Sequence, residues 1–154
     1  QAGVHETADL FVTAIQRAGL RAIIIGWETA LAEMSLPPNI YPARSLPFDW
    51  LLPRAAEIVH HGGFGTTAAG LRAGIPALVI PHIVDQFYWD QKVFELGVGP
   101  KQTPRGKLDV PKLSAALKEL DENSSFRAAA VKIGAQIRSE KGIDQAVRRI
   151  QETF

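Results

Sequence analysis

Seven consecutive residues, His61-Gly62-Gly63-Phe64-Gly65-Thr66-Thr67, follow a short apolar run and precede a helix-forming segment. That order suits an anion. Glycines let the backbone approach a ligand closely and adopt positive φ. A helix that begins directly after them offers unpaired N–H groups and a dipole that favours negative charge. The Thr66 and Thr67 hydroxyls can add donors or cap the helix, and His61 can give a ring N–H to a phosphate oxygen. The same residues also describe a plain strand-to-helix turn with a threonine cap. No Lys follows the last glycine, which excludes a Walker A loop, and the G-x-G-x-x-G dinucleotide pattern does not fit.

A second polar pair, Asp85-Gln86, follows the next apolar run. A carboxylate accepts two hydroxyl hydrogens, and an amide both donates and accepts, a combination that suits a neutral polyol. The alternative is an ordinary helix N-terminus. His60 and His61 invite a metal reading, with His82 or Asp85 as further ligands. Neighbours on a strand point to opposite faces, however, so no metal is expected and His60 should be packed or hydrogen-bonded in the sheet. Phe87, Tyr88 and Trp89 read mainly as core. Trp27 can stack on a base or pack, and the sequence leaves both open.

The elements that must position these residues follow from periodicity. Thr7 or Glu6 opens a helix with Leu10, Phe11, Ala14, Ile15 and Ala18 as its stripe and Gly19 as its stop. Residues 21–26 read as a strand buried on both faces. A weak helical turn over 28–34 breaks at Pro37-Pro38-Asn39, and Ile40-Tyr41 is a short strand before Pro42. Asp49 can cap a turn through Leu52. Residues 57–60 and 76–80 are the next strands. Asp85 is placed to cap a helix that runs to Leu96 and stops at Gly97. Asp109 caps another, with Pro111 in its first turn and a stripe of Val110, Leu113, Leu117 and Leu120. Phe126, Ala130, Ile133 and Ile137 mark a further helix, and Ile143, Ala146, Val147 and Ile150 the last, with Gly142 between them. Strands alternating with helices argue for an α/β fold, a parallel sheet with helices on both faces. Such sheets bind ligands at the carboxyl ends of their strands, which puts the 60–67 and 81–86 loops on one edge.

The chain has 154 residues, 46% of them hydrophobic and 21% charged, which is ordinary for a single domain that buries its own core. A formal net charge of +1 argues neither for nor against an anionic partner, so any phosphate binding must come from local geometry; no nucleic-acid partner is expected. The absence of cysteine removes disulfides, zinc–cysteine sites and thiol catalysis. No run is long enough to span a membrane and no signal-peptide layout is present, so a soluble, cytoplasmic protein is the expectation.

Taken together, residues 60–99 resemble the donor-binding region of the family 1 glycosyltransferases of GT-B fold. The branch most resembled is that of the sterol glucosyltransferases and the bacterial macrolide and glycopeptide-aglycone glycosyltransferases. Their pattern is H-G-G-x-G-T-T, a G-[IVL]-P turn and D-Q; here it reads His61 to Thr67, Gly74-Ile75-Pro76 and Asp85-Gln86. Asn39-Ile40-Tyr41 and Leu46-Pro47-Phe48-Asp49-Trp50-Leu51 are also similar to that branch. The likeness covers about 8–99, and the C-terminal helices more loosely.

The resemblance implies a Rossmann-like sheet and a nucleotide-sugar site. His61, Gly62, Gly63, Gly65, Thr66 and Thr67 would hold the donor diphosphate, Asp85 and Gln86 the donor sugar, and Ser45 and Leu46 the nucleoside. Ser45 stands where plant members carry a stacking Trp. Phe48 stands in place of a ribose-contacting Gln, and Ala69 in place of a ribose-binding Glu. The substrate would be a UDP- or dTDP-hexose, with no further cofactor, and transfer to a hydroxyl of a small lipophilic acceptor would invert the anomeric centre. Family members carry the acceptor pocket and catalytic base in an N-terminal domain, so no catalytic residue is expected here. All 154 residues would form the donor-binding domain, with its first strand and F-G-S loop lying before Gln1. An open sheet edge would then invite self-association. The alternatives are a donor-binding subunit without activity of its own, completed by a partner chain, and a GT-B-fold sugar-nucleotide epimerase.

Overall fold

The β-branched and apolar runs do form strands, and the amphipathic stretches between them form helices. The computed structural model describes residues 2–101 and 104–153. The chain runs α1 (Ala2–Ala18), β1 (Ala22–Ile25), α2 (Glu28–Ala32), β2 (Ile40–Ala43), α3 (Phe48–Leu51), β3 (Ile58–His60), α4 (Phe64–Ala73), β4 (Ala77–Val79), α5 (Gln86–Glu95), α6 (Val110–Glu122), α7 (Ser124–Ser139) and α8 (Gly142–Thr153). Short 3-10 turns occupy Leu52–Arg54 and Arg105–Lys107.

All strand pairing is parallel, but the expected single sheet is two pairs among the described residues. β1 lies beside β2, with Ile24 opposite Pro42, and β3 beside β4, with His60 opposite Val79. Shared packing, not a continuous ladder, joins the pairs. Ile24 and Ile40 enter one buried cluster with Leu78 and Ile80, closed by Ala8, Val12 and Ile15 of α1 and Leu113, Leu117 and Leu120 of α6. The alternate residues of β4, Ala77 and Val79, point the other way, to Val93 of α5 and Ala130 of α7. The period of two thus gives β4 helices on both faces, as expected.

Several boundaries differ for identifiable reasons. α1 begins at Ala2, not at Thr7, whose hydroxyl instead donates to Gly3 O at 2.6 Å inside the helix. Its most buried face is Ala8, Val12, Ala14 and Ile15, while Leu10, Phe11 and Ala18 pack at its margin. β1 is not buried on both faces: Ile24 is inside, but Ile23 and Ile25 are 45% and 40% exposed. β2 runs through Pro42, which β2 tolerates because β1 is its one partner among the described residues. α3 begins one residue before Asp49, with Pro47 as its N-cap. Asp109 caps α6 as expected, accepting from Lys112 N at 2.8 Å. The described side chains of α8 are all exposed, including Val147 and Ile150; that of Ile143 lies outside the described residues.

Glu57, directly before β3, is a strained electrostatic point of this scaffold. Its Oε2 is buried without a partner. Burial and the Asp121 carboxylate push its pKa up to about 7, against the Arg127 guanidinium, which itself donates to Ala56 O. The folded chain therefore binds a proton here that the unfolded chain releases near pH 4.5. Stability should fall as pH rises from there to about 7. Glu57→Gln is expected to flatten that decline and to raise the melting temperature at pH 8 more than at pH 5. Equal changes at the two pH values would remove the carboxyl as the cause.

Candidate functional site

The paired ends of β3 and β4 bring the two sequence-predicted loops together. Ile80 N donates to His60 O at 2.8 Å, so the ladder continues to the point where both chains leave the sheet. Gly62 has φ +94°, and a Cβ there would lie 2.8 Å from Val79 Cγ1 and 3.0 Å from the Gln86 carbonyl oxygen. The glycine loop therefore rests directly on the first residue of α5. Gly63 lies under the His61 ring, with Nε2 2.8 Å from where its Cβ would be. Only glycines allow the loop to lie this flat.

Gly63 is the N-cap of α4 in extended conformation, and no side chain caps that end. The N–H groups of Phe64, Gly65 and Thr66 lack intrahelical acceptors, while Thr67 N donates to Gly63 O at 3.0 Å. Of the two threonines, Thr66 is the less buried. Thr67 is 2% exposed and its hydroxyl also donates to Gly63 O, so it braces the loop from behind rather than offering a donor to a ligand. Phe64 stacks on Trp89 of α5 at 5.1 Å between centroids, a further tie between the two loops. Phe87 and Tyr88, expected in the core, are 44% and 55% exposed instead.

The two histidines have different duties. His60 Nδ1 accepts from Gly62 N at 3.0 Å, which shapes the loop. Burial, with His61 nearby, lowers its pKa to about 4, so it is neutral, with the proton on Nε2. His61 is exposed at the carboxyl edge.

Asp85 and Gln86 also differ from one another. Asp85 is the N-cap of α5 by position, yet its side chain makes no capping bond. The Gln86 Oε1, at the start of α5, instead closes the preceding loop, accepting from His82 N at 2.8 Å and Ile83 N at 3.1 Å. Its carbonyl is thus engaged, and only Nε2 remains to meet a ligand, whereas both oxygens of the exposed Asp85 carboxylate are open. Val84, just before Asp85, is held at φ +36° and is 86% exposed. A β-branched residue there is strained by on the order of 1–3 kcal/mol, and such strain gathers at functional loops.

Ser45 and Leu46 follow the carboxyl end of β2, Ser45 exposed and Leu46 half-buried. They lead into α3, which packs against α4. A shallow cavity of about 180 Å³, lined by Gly26, Glu28, Leu31, Pro42, Ala43 and Arg44, lies just before them. Trp27 packs edge-on against Phe11 at 5.2 Å, which decides its two readings in favour of packing.

A profile of the erythromycin biosynthesis protein CIII-like, C-terminal domain matches residues 20–152. The chain belongs to that family. Among curated relatives, the sterol 3-beta-glucosyltransferase of Aspergillus oryzae is 40% identical over 147 residues, covering 90% of the chain but 10% of the relative. The crystal structure of the glycosyltransferase VinC in complex with dTDP superposes with a TM-score of 0.80 at 29% identity, over 92% of this chain and 36% of VinC. The spinosyn rhamnosyltransferase SpnG complexed with thymidine diphosphate gives 0.80 at 25% identity, over 98% of this chain and 43% of that one. These likenesses bear out the GT-B glycosyltransferase resemblance and the α/β fold. Membership places this chain at the C-terminal, sugar-donor part of such enzymes. No described helix is long and apolar enough to cross a membrane.

Arg105 was not legible as a site residue. It lies 38 or more residues beyond the glycine loop, in the 3-10 turn after α5, yet its guanidinium donates to Thr7 Oγ1, and its N–H to Pro81 O at 3.4 Å. His82, read from the sequence only as a metal candidate, stands beside it, with its pKa lowered by partial burial, by His61 and by Arg105. No motif spacing links these three positions; only the ends of neighbouring elements do.

Proposed function

We propose that residues 1–154 form the donor-binding domain of a glycosyltransferase that moves a hexose from UDP or dTDP to a hydroxyl of a small lipophilic acceptor, with inversion. The single observation that supports this best is the seating of Gly62 against Gln86 and Val79. It puts an anion cradle (the His61 ring and the open first turn of α4) beside the free Asp85 carboxylate. Diphosphate and hexose are adjacent in a nucleotide sugar, and so are these two features.

In this reading the chain's task is electrostatic and positional. Negative charge grows on the diphosphate as the anomeric bond breaks, and His61 with the α4 N–H groups would stabilise it in place. Asp85 would accept from two sugar hydroxyls, and Gln86 Nε2 would donate to a third, fixing the anomeric carbon for attack. Ser45 and Leu46 would line the nucleoside. The base that deprotonates the acceptor would come from an N-terminal acceptor-binding domain, in the same or another chain. The lipophilic acceptor rests on the sterol and macrolide relatives, and self-association through an open strand edge remains part of the proposal.

The test separates the two halves of the donor. Asp85→Ala is expected to leave UDP or dTDP affinity within about twofold and to weaken the matching nucleotide sugar about tenfold or more, as for one or two lost hydrogen bonds to a charged group. Calorimetry with each pair of ligands measures both. Equal weakening of nucleotide and nucleotide sugar would refute the assignment of Asp85 to the hexose.

A further inference from the structure

We infer that His82 is a second imidazole of the diphosphate site, meeting the phosphates from the β4 side as His61 does from the β3 side. This rests on the donor-binding reading above and extends it to a residue outside the motif. β3 and β4 run parallel and stay hydrogen-bonded to Ile80, so His61 and His82 leave the sheet on adjacent chains at one edge. The backbone of His82 is held: its N–H donates to Gln86 Oε1, and Gln86 in turn lies against Gly62. Both imidazoles are exposed at that edge.

The surrounding charges give the pair a purpose. His61 and Arg105 both lie within electrostatic reach of His82 and oppose its protonation. Arg105 is bonded to the neutral hydroxyl of Thr7, not to a carboxylate. The ion pairs among the described residues, His5–Glu33, Lys92–Glu95 and Asp109–Lys112, involve none of the three. His60, at the end of β3, is neutral. Asp85, three residues on, is the carboxylate of the loop and bonds to none of them. Two basic groups from other elements therefore oppose a proton on His82, and a multiply charged anion between the three would offset that opposition. A free nucleoside diphosphate carries more negative charge than the nucleotide sugar it came from. His82 should accordingly favour the departing diphosphate over the intact donor, the differential binding that catalysis needs.

The experiment is calorimetry of the chain and of His82→Gln with UDP and with dTDP at pH 6 and pH 8, each in two buffers of different ionisation heat. Gln keeps a hydrogen-bonding side chain and removes the titratable charge. The wild type should take up a proton on binding. His82→Gln should bind about tenfold more weakly at pH 6, change little at pH 8, and take up fewer protons. Protonation of the terminal phosphate near pH ~6 is common to both proteins, so the difference between them isolates His82. The His82 ring carbon proton should also move toward its protonated shift when dTDP is added at pH 7. If His82→Gln binds either nucleotide with wild-type affinity and proton uptake at both pH values, the role of His82 is overturned while the donor site stands. If the wild-type chain binds neither nucleotide, the donor-binding reading falls and this inference with it.

Discussion

Gly62→Ala should abolish measurable nucleoside diphosphate binding and lower the stability of the domain by about 2–5 kcal/mol. Two independent penalties produce that figure. The φ of +94° is a conformation that an L side chain enters only with strain. The added Cβ would also meet Val79 Cγ1 at 2.8 Å and the Gln86 carbonyl oxygen at 3.0 Å, one in the buried face of β4 and the other in the backbone of α5. Neither can move without cost: Val79 is fully buried, and Gln86 fixes the His82 and Ile83 N–H groups. Relief must come from parting the glycine loop from α5, which separates the phosphate cradle from Asp85. Chemical denaturation with a dTDP titration would measure both effects. A variant with wild-type stability and affinity would show that the contact between the loops is not what forms the site.

His61→Ala is expected to weaken UDP or dTDP binding by about 1.5–3 kcal/mol, roughly 10- to 150-fold, with little change in melting temperature. The ring is exposed and makes no hydrogen bond or ion pair among the described residues, so its loss leaves no buried group there unpaired. His60→Ala should behave in the opposite way. It removes the Nδ1 that receives the Gly62 N–H and leaves a cavity beneath β3, so the melting temperature should drop and binding should weaken only through the altered loop. Paired calorimetry and thermal melts on the two variants provide the comparison. Equal binding losses at unchanged stability would contradict the division of roles between the adjacent rings.

The same two histidines show how far sequence reasoning reaches. The two-residue period of a strand already required His60 and His61 to face different ways, and the glycines after them already required a close backbone approach. Local rules were enough for His60 and for the start of α6 because the interacting groups lie within a few residues: His60 Nδ1 to Gly62 N, Asp109 to Lys112 N. Helix stripes such as Leu113, Leu117 and Leu120 were legible for the same reason, since 3.6-residue periodicity is a local property that burial only confirms. Strand burial was less legible. The run of three isoleucines in β1 reads as buried throughout, yet which faces are covered depends on the helices that pack there, and Ile23 and Ile25 are left partly open.

By itself, then, the amino-acid sequence determined the order of strands and helices, the family, and a short set of candidate residues for the proposed donor site. Tertiary structure decided how those residues are used. Gln86 turns its carbonyl inward because two N–H groups of the preceding loop need an acceptor, and Asp85 is left free as a result. Thr67 is withdrawn from the site because its hydroxyl faces the carbonyl of the N-cap. His82 and Arg105 join His61 only because two parallel strands end side by side and a 3-10 turn returns past α1. The contacts of Arg105 with Thr7 and Pro81 span tens of residues and carry no mark in the sequence, and even the short-range bonds of Gln86 and Thr67 depend on how their loops are folded. Charge and hydrogen-bond demand act through space, so they acquire meaning only when the fold has set the distances.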